Sequence, residues 1–128
     1  MTSDEELLQL NQRLLDSISA ADWTTYESLC HPKLTCFEPE TGGHFVIGMP
    51  FHRFYFDLGA GSQPRTTTMA TPHVQMLGAD AAVVCYTRLV QRIDAAGAPV
   101  TIRSMETRVW QRENGRWLHV HFHRSPVN

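Results

Sequence analysis

Three arginines, Arg88, Arg108 and Arg124, fall inside segments that read as β-strands. A guanidinium in a strand interior is costly to bury unless a partner offsets its charge. Either each one reaches solvent or pairs with a carboxylate such as Glu106, or several converge on a cavity and hold an anion. A carboxylate suits the guanidinium fork. His119, His121 and His123 alternate along the final strand, so a strict period of two puts all three on one face. Imidazoles so arranged invite a metal, but one straight strand starts a tetrahedral shell badly, and no metal is expected. Glu38 and Glu40 flank Pro39 and form a carboxylate pair of the kind used in acid–base chemistry; the alternative is a solvated strand end. His52, on a predicted helix with Arg53 and Tyr55, is a candidate base. No base–orienter pair, phosphate-binding glycine loop, nucleophile elbow or cofactor fingerprint is legible, and no cofactor is expected.

The elements that must position these residues come in two blocks. Ser3 and Glu6 read as a capping box, followed by an apolar stripe of Leu7, Leu10, Leu14 and Ile18. Asp22 opens a short second helix with Trp23, Tyr26, Leu29 and Cys30 inside, and Pro32 stops it. Strands are expected over 33–40 and 45–47. Pro50 then starts a third helix packed through Phe51, Phe54, Tyr55 and Leu58 and closed by Gly59. Beyond the glycine-rich loop the pattern turns to β over 66–77, 82–93, 100–111 and 117–124, with Asn114-Gly115 as a hairpin turn. Helices precede four successive antiparallel strands. The fold class is therefore α+β, a curved sheet wrapped on a long helix with a cavity between them.

The whole chain bounds the partners. It has 128 residues, one domain over 1–128, and a net charge of −2 from 11 basic and 13 acidic residues. That balance argues against nucleic acid or an anionic membrane as partner. Cys30, Cys36 and Cys85 form no C-x-x-C pair and lie among apolar neighbours, so buried free thiols in a reducing compartment are expected. With no secretory signal or membrane-length apolar stretch, the expected location is the cytoplasm.

Four segments carry a resemblance: Cys-His-Pro-Lys-Leu-Thr-Cys-Phe-Glu-Pro-Glu at 30–40, Phe-His-Arg-Phe-Tyr-Phe at 51–56, Glu-Thr-Arg-Val-Trp at 106–110 and His-Phe-His-Arg-Ser at 121–125. In this order and spacing the chain resembles the association (hub) domain of calcium/calmodulin-dependent protein kinase II. That domain is a member of the nuclear-transport-factor-2-like and SnoaL-like superfamily. The resemblance implies a cone-shaped fold and a homo-oligomer of two stacked rings, a dodecamer or tetradecamer. It also implies that Arg88, Arg108 and Arg124 meet in a central cavity with Tyr26 and His52 on its wall, where a small carboxylate would bind. His121 and His123 belong to the family pattern, and His119 stands where the family tends to be aliphatic. The segments of a kinase, a calmodulin-binding helix and a linker are not found in the sequence, so no kinase activity is expected of it. The rival reading is a small-molecule isomerase, cyclase or hydratase of the SnoaL-like type.

Overall fold

The computed structural model describes residues 1–128. The element order is α1 (Ser3–Ser19), α2 (Trp23–Leu29), β1 (Cys30–Phe37), a 3-10 turn (Pro39–Thr41), β2 (Val46–Ile47), α3 (Pro50–Asp57), β3 (Arg65–Met76), β4 (Ala81–Ile93), β5 (Pro99–Glu113) and β6 (Arg116–Pro126). All six strands join one sheet in the order β2-β1-β6-β5-β4-β3. The four long strands form the expected antiparallel meander. Asn114 and Gly115 turn its last hairpin with φ of 52° and 77°, as a two-residue primed turn requires.

The capping box is real but sits one residue earlier than the sequence suggested. The Thr2 hydroxyl accepts from the Glu5 amide, and the Glu5 carboxylate accepts from the Thr2 amide, each at 3.2 Å. Helix α1 then lays Leu7, Asn11, Leu14 and Leu15 against the sheet, all with no exposure. Asn11 is the polar exception, and its carbonyl accepts from Trp110 Nε1 at 3.0 Å. Both Trp110 and Trp117 belong to the buried core, so the β5–β6 tryptophans are not free for contacts with other molecules.

Three findings correct or add to these expectations. First, α2 ends at Leu29, and Pro32 lies inside β1, which starts three residues earlier than read. Second, β1 joins β6 in parallel (Thr35 beside His121, Cys36 beside Phe122), a pairing no local pattern announces. Third, α3 turns His52 and Phe56 inward, while Phe54, Tyr55 and Leu58 are exposed at 62%, 41% and 70%. The inner face of α3 is therefore the polar-aromatic one.

Candidate functional site

The curvature of the sheet leaves a cavity of about 410 Å³ between its concave face, α3 and the turn after β1. Inward-facing alternate positions of the long strands supply Arg88 from β4, Ser104 and Arg108 from β5, and Phe122 and Arg124 from β6. Tyr26 from α2 and His52 from α3 also line it, so the cavity brings together all five residues singled out above. Arg65, Arg92, Glu38 and Glu40 complete its charged lining, and the sequence reading had not placed Arg65 or Arg92 there. Their signal was available: Arg92 lies four residues beyond Arg88, on the same face of a strand of period two.

On the floor, two of the three arginines are offset internally by one carboxylate. Glu106 is 3% exposed and takes charge from two sides. Its Oε1 accepts from Arg108 Nη2 at 2.9 Å and from the Tyr86 hydroxyl at 2.6 Å. Its Oε2 accepts from Arg88 Nη1 at 3.3 Å and from the Ser104 hydroxyl at 3.2 Å. Burial alone would push this carboxyl up, but Arg108 and Arg88 outweigh it and hold it at about 2. Arg108 also donates from Nε to the Tyr86 hydroxyl at 2.9 Å, and its guanidinium carbon lies 4.4 Å from the Phe122 ring centre. Arg88 is held less completely. Its buried Nε has no partner, and burial lowers its pKa.

The mouth is built differently. Arg124 donates to Glu38 Oε1 at 3.3 Å and to the carboxylate of Glu40. Burial raises the Glu38 carboxyl, the neighbouring Glu40 raises it further, and the result is a value of about 7. Glu40 is lowered: burial opposes this, but Glu38 as hydrogen-bond donor and Arg124 prevail. Of the two carboxyls beside this one guanidinium, Glu38 is therefore the one that holds a proton more readily. Glu38 is not part of a solvated strand end, whereas Glu40 remains exposed.

His52 is 5% exposed and is held neutral by burial and by the Arg108 charge, which push it down to about 4. Its Nδ1 lies 3.6 Å from Glu38 Oε2. The three β6 histidines do not share a face. The register with β5 shifts between Trp110 and Val109, which pair with His119 and His121. Val120 is thereby an extra residue, a bulge that reverses the alternation. His119 faces the core with no exposure, its Nδ1 3.4 Å from Cys30 Sγ and its Nε2 3.4 Å from Arg108 Nη1. His121 and His123 turn outward beside Phe45 and Phe37. Of the cysteines, all unpaired, Cys30 and Cys36 are buried while Cys85 is only half-buried, against the expectation that all three would be enclosed.

This architecture, a curved sheet closed over a long helix, is the nuclear-transport-factor-2-like cone. A superfamily structure from Salmonella enterica shares it with a TM-score of 0.76 at 24% identity, covering 97% of this chain and 90% of the other. The chain belongs to the calcium/calmodulin-dependent protein kinase II association domain family, whose pattern it matches over residues 3–128. The hub homology domain of Chlamydomonas reinhardtii is 45% identical with a TM-score of 0.94, covering 99% of this chain and all of the other. The delta subunit of the rabbit kinase is 46% identical over 94% of this chain, which spans only 23% of that relative's length. That span is the association domain, so these residues include no kinase domain.

Proposed function

We propose that this chain is a self-association module that closes into a ring-shaped homo-oligomer of two stacked rings, a dodecamer or tetradecamer. The observation that carries the reading is the match to the association domain family from residue 3 to residue 128. The protomer's surface supports it. Phe37 and Phe45 lie against each other on the outer face of the sheet, their tilted rings 5.1 Å apart, and Ile47, Phe54 and Leu58 are more than half exposed nearby in the chain. Apolar area of this kind is what symmetric assembly covers. Light scattering on purified protein at micromolar concentration tests it. A mass several times that of a dimer is expected, and a monomer or dimer rejects the reading.

The cavity supports a second role, binding of a small carboxylate among Arg88, Arg108, Arg124, Tyr26 and His52. The specific observation is charge. Five guanidinium groups line the cavity against two carboxylates, Glu38 and Glu40, of which Glu38 is raised to about 7, and Arg88 keeps an unpartnered N–H. An anion there gains charge-assisted hydrogen bonds in a partly desolvated site. Acetate-like and hydroxy-acid ligands should raise the melting temperature, because a ligand that binds only the folded state stabilises it by mass action. Arg124→Ala should remove that shift. Equal shifts in wild type and variant would assign Arg124 to structure alone. The cytoplasm is the compartment that fits the free cysteines.

A further inference from the structure

We infer that Cys36, Glu38 and His52 form a site for one divalent cation of the zinc type on the wall of the cavity. The donor atoms converge from two elements that the sequence gives no reason to join: the end of β1 with the residue after it, and the buried side of α3. Cys36 Sγ lies 3.7 Å from Glu38 Oε2 and 3.8 Å from His52 Nε2, and one donor from each residue falls within 4.8 Å of the others. A tetrahedral shell with sulfur at about 2.3 Å and nitrogen and oxygen at about 2.0–2.2 Å has edges of roughly 3.3–3.6 Å. The two sulfur edges lie just outside that range and the third, between the imidazole and the carboxylate, is at most 4.8 Å, so a cation has to draw His52 and Glu38 together by side-chain rotation.

As they stand, these groups satisfy one another poorly. Cys36 has no exposure and His52 has 5%, yet the histidine–carboxylate approach of 3.6 Å is too long for a hydrogen bond and both thiol contacts are weak. Glu38 divides its two oxygens. Oε1 accepts from Arg124, and Oε2 faces Cys36 and His52. A cation on Oε2 therefore leaves the Arg124 grip in place.

Charge is the main opposing factor, since Arg108 and Arg124 both stand close. Binding offsets it: the Cys36 thiol loses its proton to solvent as the sulfur–metal bond forms, Glu38 releases any proton it holds in the same way, and the resulting thiolate and carboxylate balance a divalent ion. His52, already neutral, offers a lone pair. One sulfur, one imidazole and one carboxylate favour zinc, cobalt or ferrous iron over magnesium or calcium. Glu38 and His52 line the cavity, so the fourth position opens into it, as in zinc sites that keep a water. The inference is independent of which anion the arginines hold, and it concerns a different cluster from the β6 histidines.

Cobalt(II) is the probe, added to the intact metal-free oligomer. One equivalent per chain should produce a thiolate-to-cobalt charge-transfer band in the near ultraviolet together with strong visible absorption. Cys36→Ser should abolish the charge-transfer band, and Glu38→Gln or His52→Asn should weaken cobalt binding at least tenfold. Cys85→Ser should leave the spectrum unchanged. Absence of the band in wild type overturns the inference, as does a band that survives Cys36→Ser. Should Cys36→Ser fail to fold, Cys30→Ala and Cys85→Ser locate the sulfur by elimination, and loss of the band in either one also overturns it.

Discussion

The floor and the mouth of the cavity use the same chemistry, carboxylates against guanidinium groups, with opposite results. On the floor, Glu106 is outnumbered by Arg88 and Arg108, receives two hydroxyl hydrogen bonds besides, and titrates at about 2. At the mouth, Glu38 and Glu40 outnumber Arg124, and Glu38 rises to about 7 through burial and its acidic neighbour. Desolvation acts on both carboxyls in the same sense. What differs is the ratio of charges within reach, and that ratio decides whether a buried carboxyl is a fixed anchor or a proton reservoir.

The sharpest break of this comparison is Glu106→Gln. It strands two buried guanidinium groups and should cost about 3–5 kcal/mol, the range seen when one partner of a buried ion pair is removed. Denaturant unfolding measures it, and a loss under about 1 kcal/mol would show that the floor is not held by charge. The same logic applies to the arginine side of the pair. Arg108→Ala should destabilise nearly as strongly, because Glu106 loses its closer partner.

Acid should attack the floor in two stages. His119 is buried and held well below its ordinary value of 6.5 by burial and by Arg108, so the unfolded chain binds its proton first. Stability from this group is complete above pH 6.5 and falls below it, by up to about 1.4 kcal/mol per pH unit for each proton. Glu106 adds a second loss as pH falls from its ordinary 4.5 toward about 2. His119→Leu, of similar volume, should reduce the dependence between pH 6.5 and 5 and leave the share due to His52, which is lowered to about 4. Unchanged slope would mean that His119 takes a proton in the folded state.

A smaller effect is expected at the mouth. Arg124→Ala removes a pair whose arginine side chain is 20% exposed, and it should cost only about 1 kcal/mol. A cost equal to that of Glu106→Gln would erase the distinction between the two regions. The mildest measurement is thiol labelling without denaturant. Cys85, half-buried on the outer face of β4, should react first, and Cys30 and Cys36, whose thiols burial pushes up to about 12, should lag well behind. Equal rates at all three would contradict the burial of β1.

Most of this arrangement was legible where periodicity and turn chemistry are local. The alternating strands, the Asn114-Gly115 turn, the apolar stripe of α1 and the four family segments led to an α+β cone and to one cavity holding Arg88, Arg108, Arg124, Tyr26 and His52. The features missed depend on distant partners. Val120 as a bulge follows from register with β5, and without it His119 seems to share a face with His121 and His123. The inward side of α3 was misjudged because phenylalanine and leucine outrank histidine on any hydrophobicity scale. His52 is buried because Glu38, Cys36 and Phe122 surround it, which no spacing within α3 reports. The share of Glu106 between two arginines likewise needs the sheet register: Tyr86 lies directly across from Glu106 and Val84 across from Arg108.

The parallel junction of β1 with β6 also governs the order of assembly. β6 sits in the interior of the sheet, between β1 and β5, although it is the last strand of the sequence. On a ribosome, α1, α2 and β1 are finished some eighty residues before their neighbour exists, whereas β3, β4 and β5 can zip together as they emerge. Two half-built pieces must therefore wait, and the strand carrying Arg124 joins them in a single late event. Contacts this far apart in sequence slow folding, because loop closure precedes any gain from pairing. The cavity acquires its floor early and its mouth only at that last closure, so a chain ending before residue 116 would leave β5, an interior strand of the finished sheet, as a second unpaired edge besides β3.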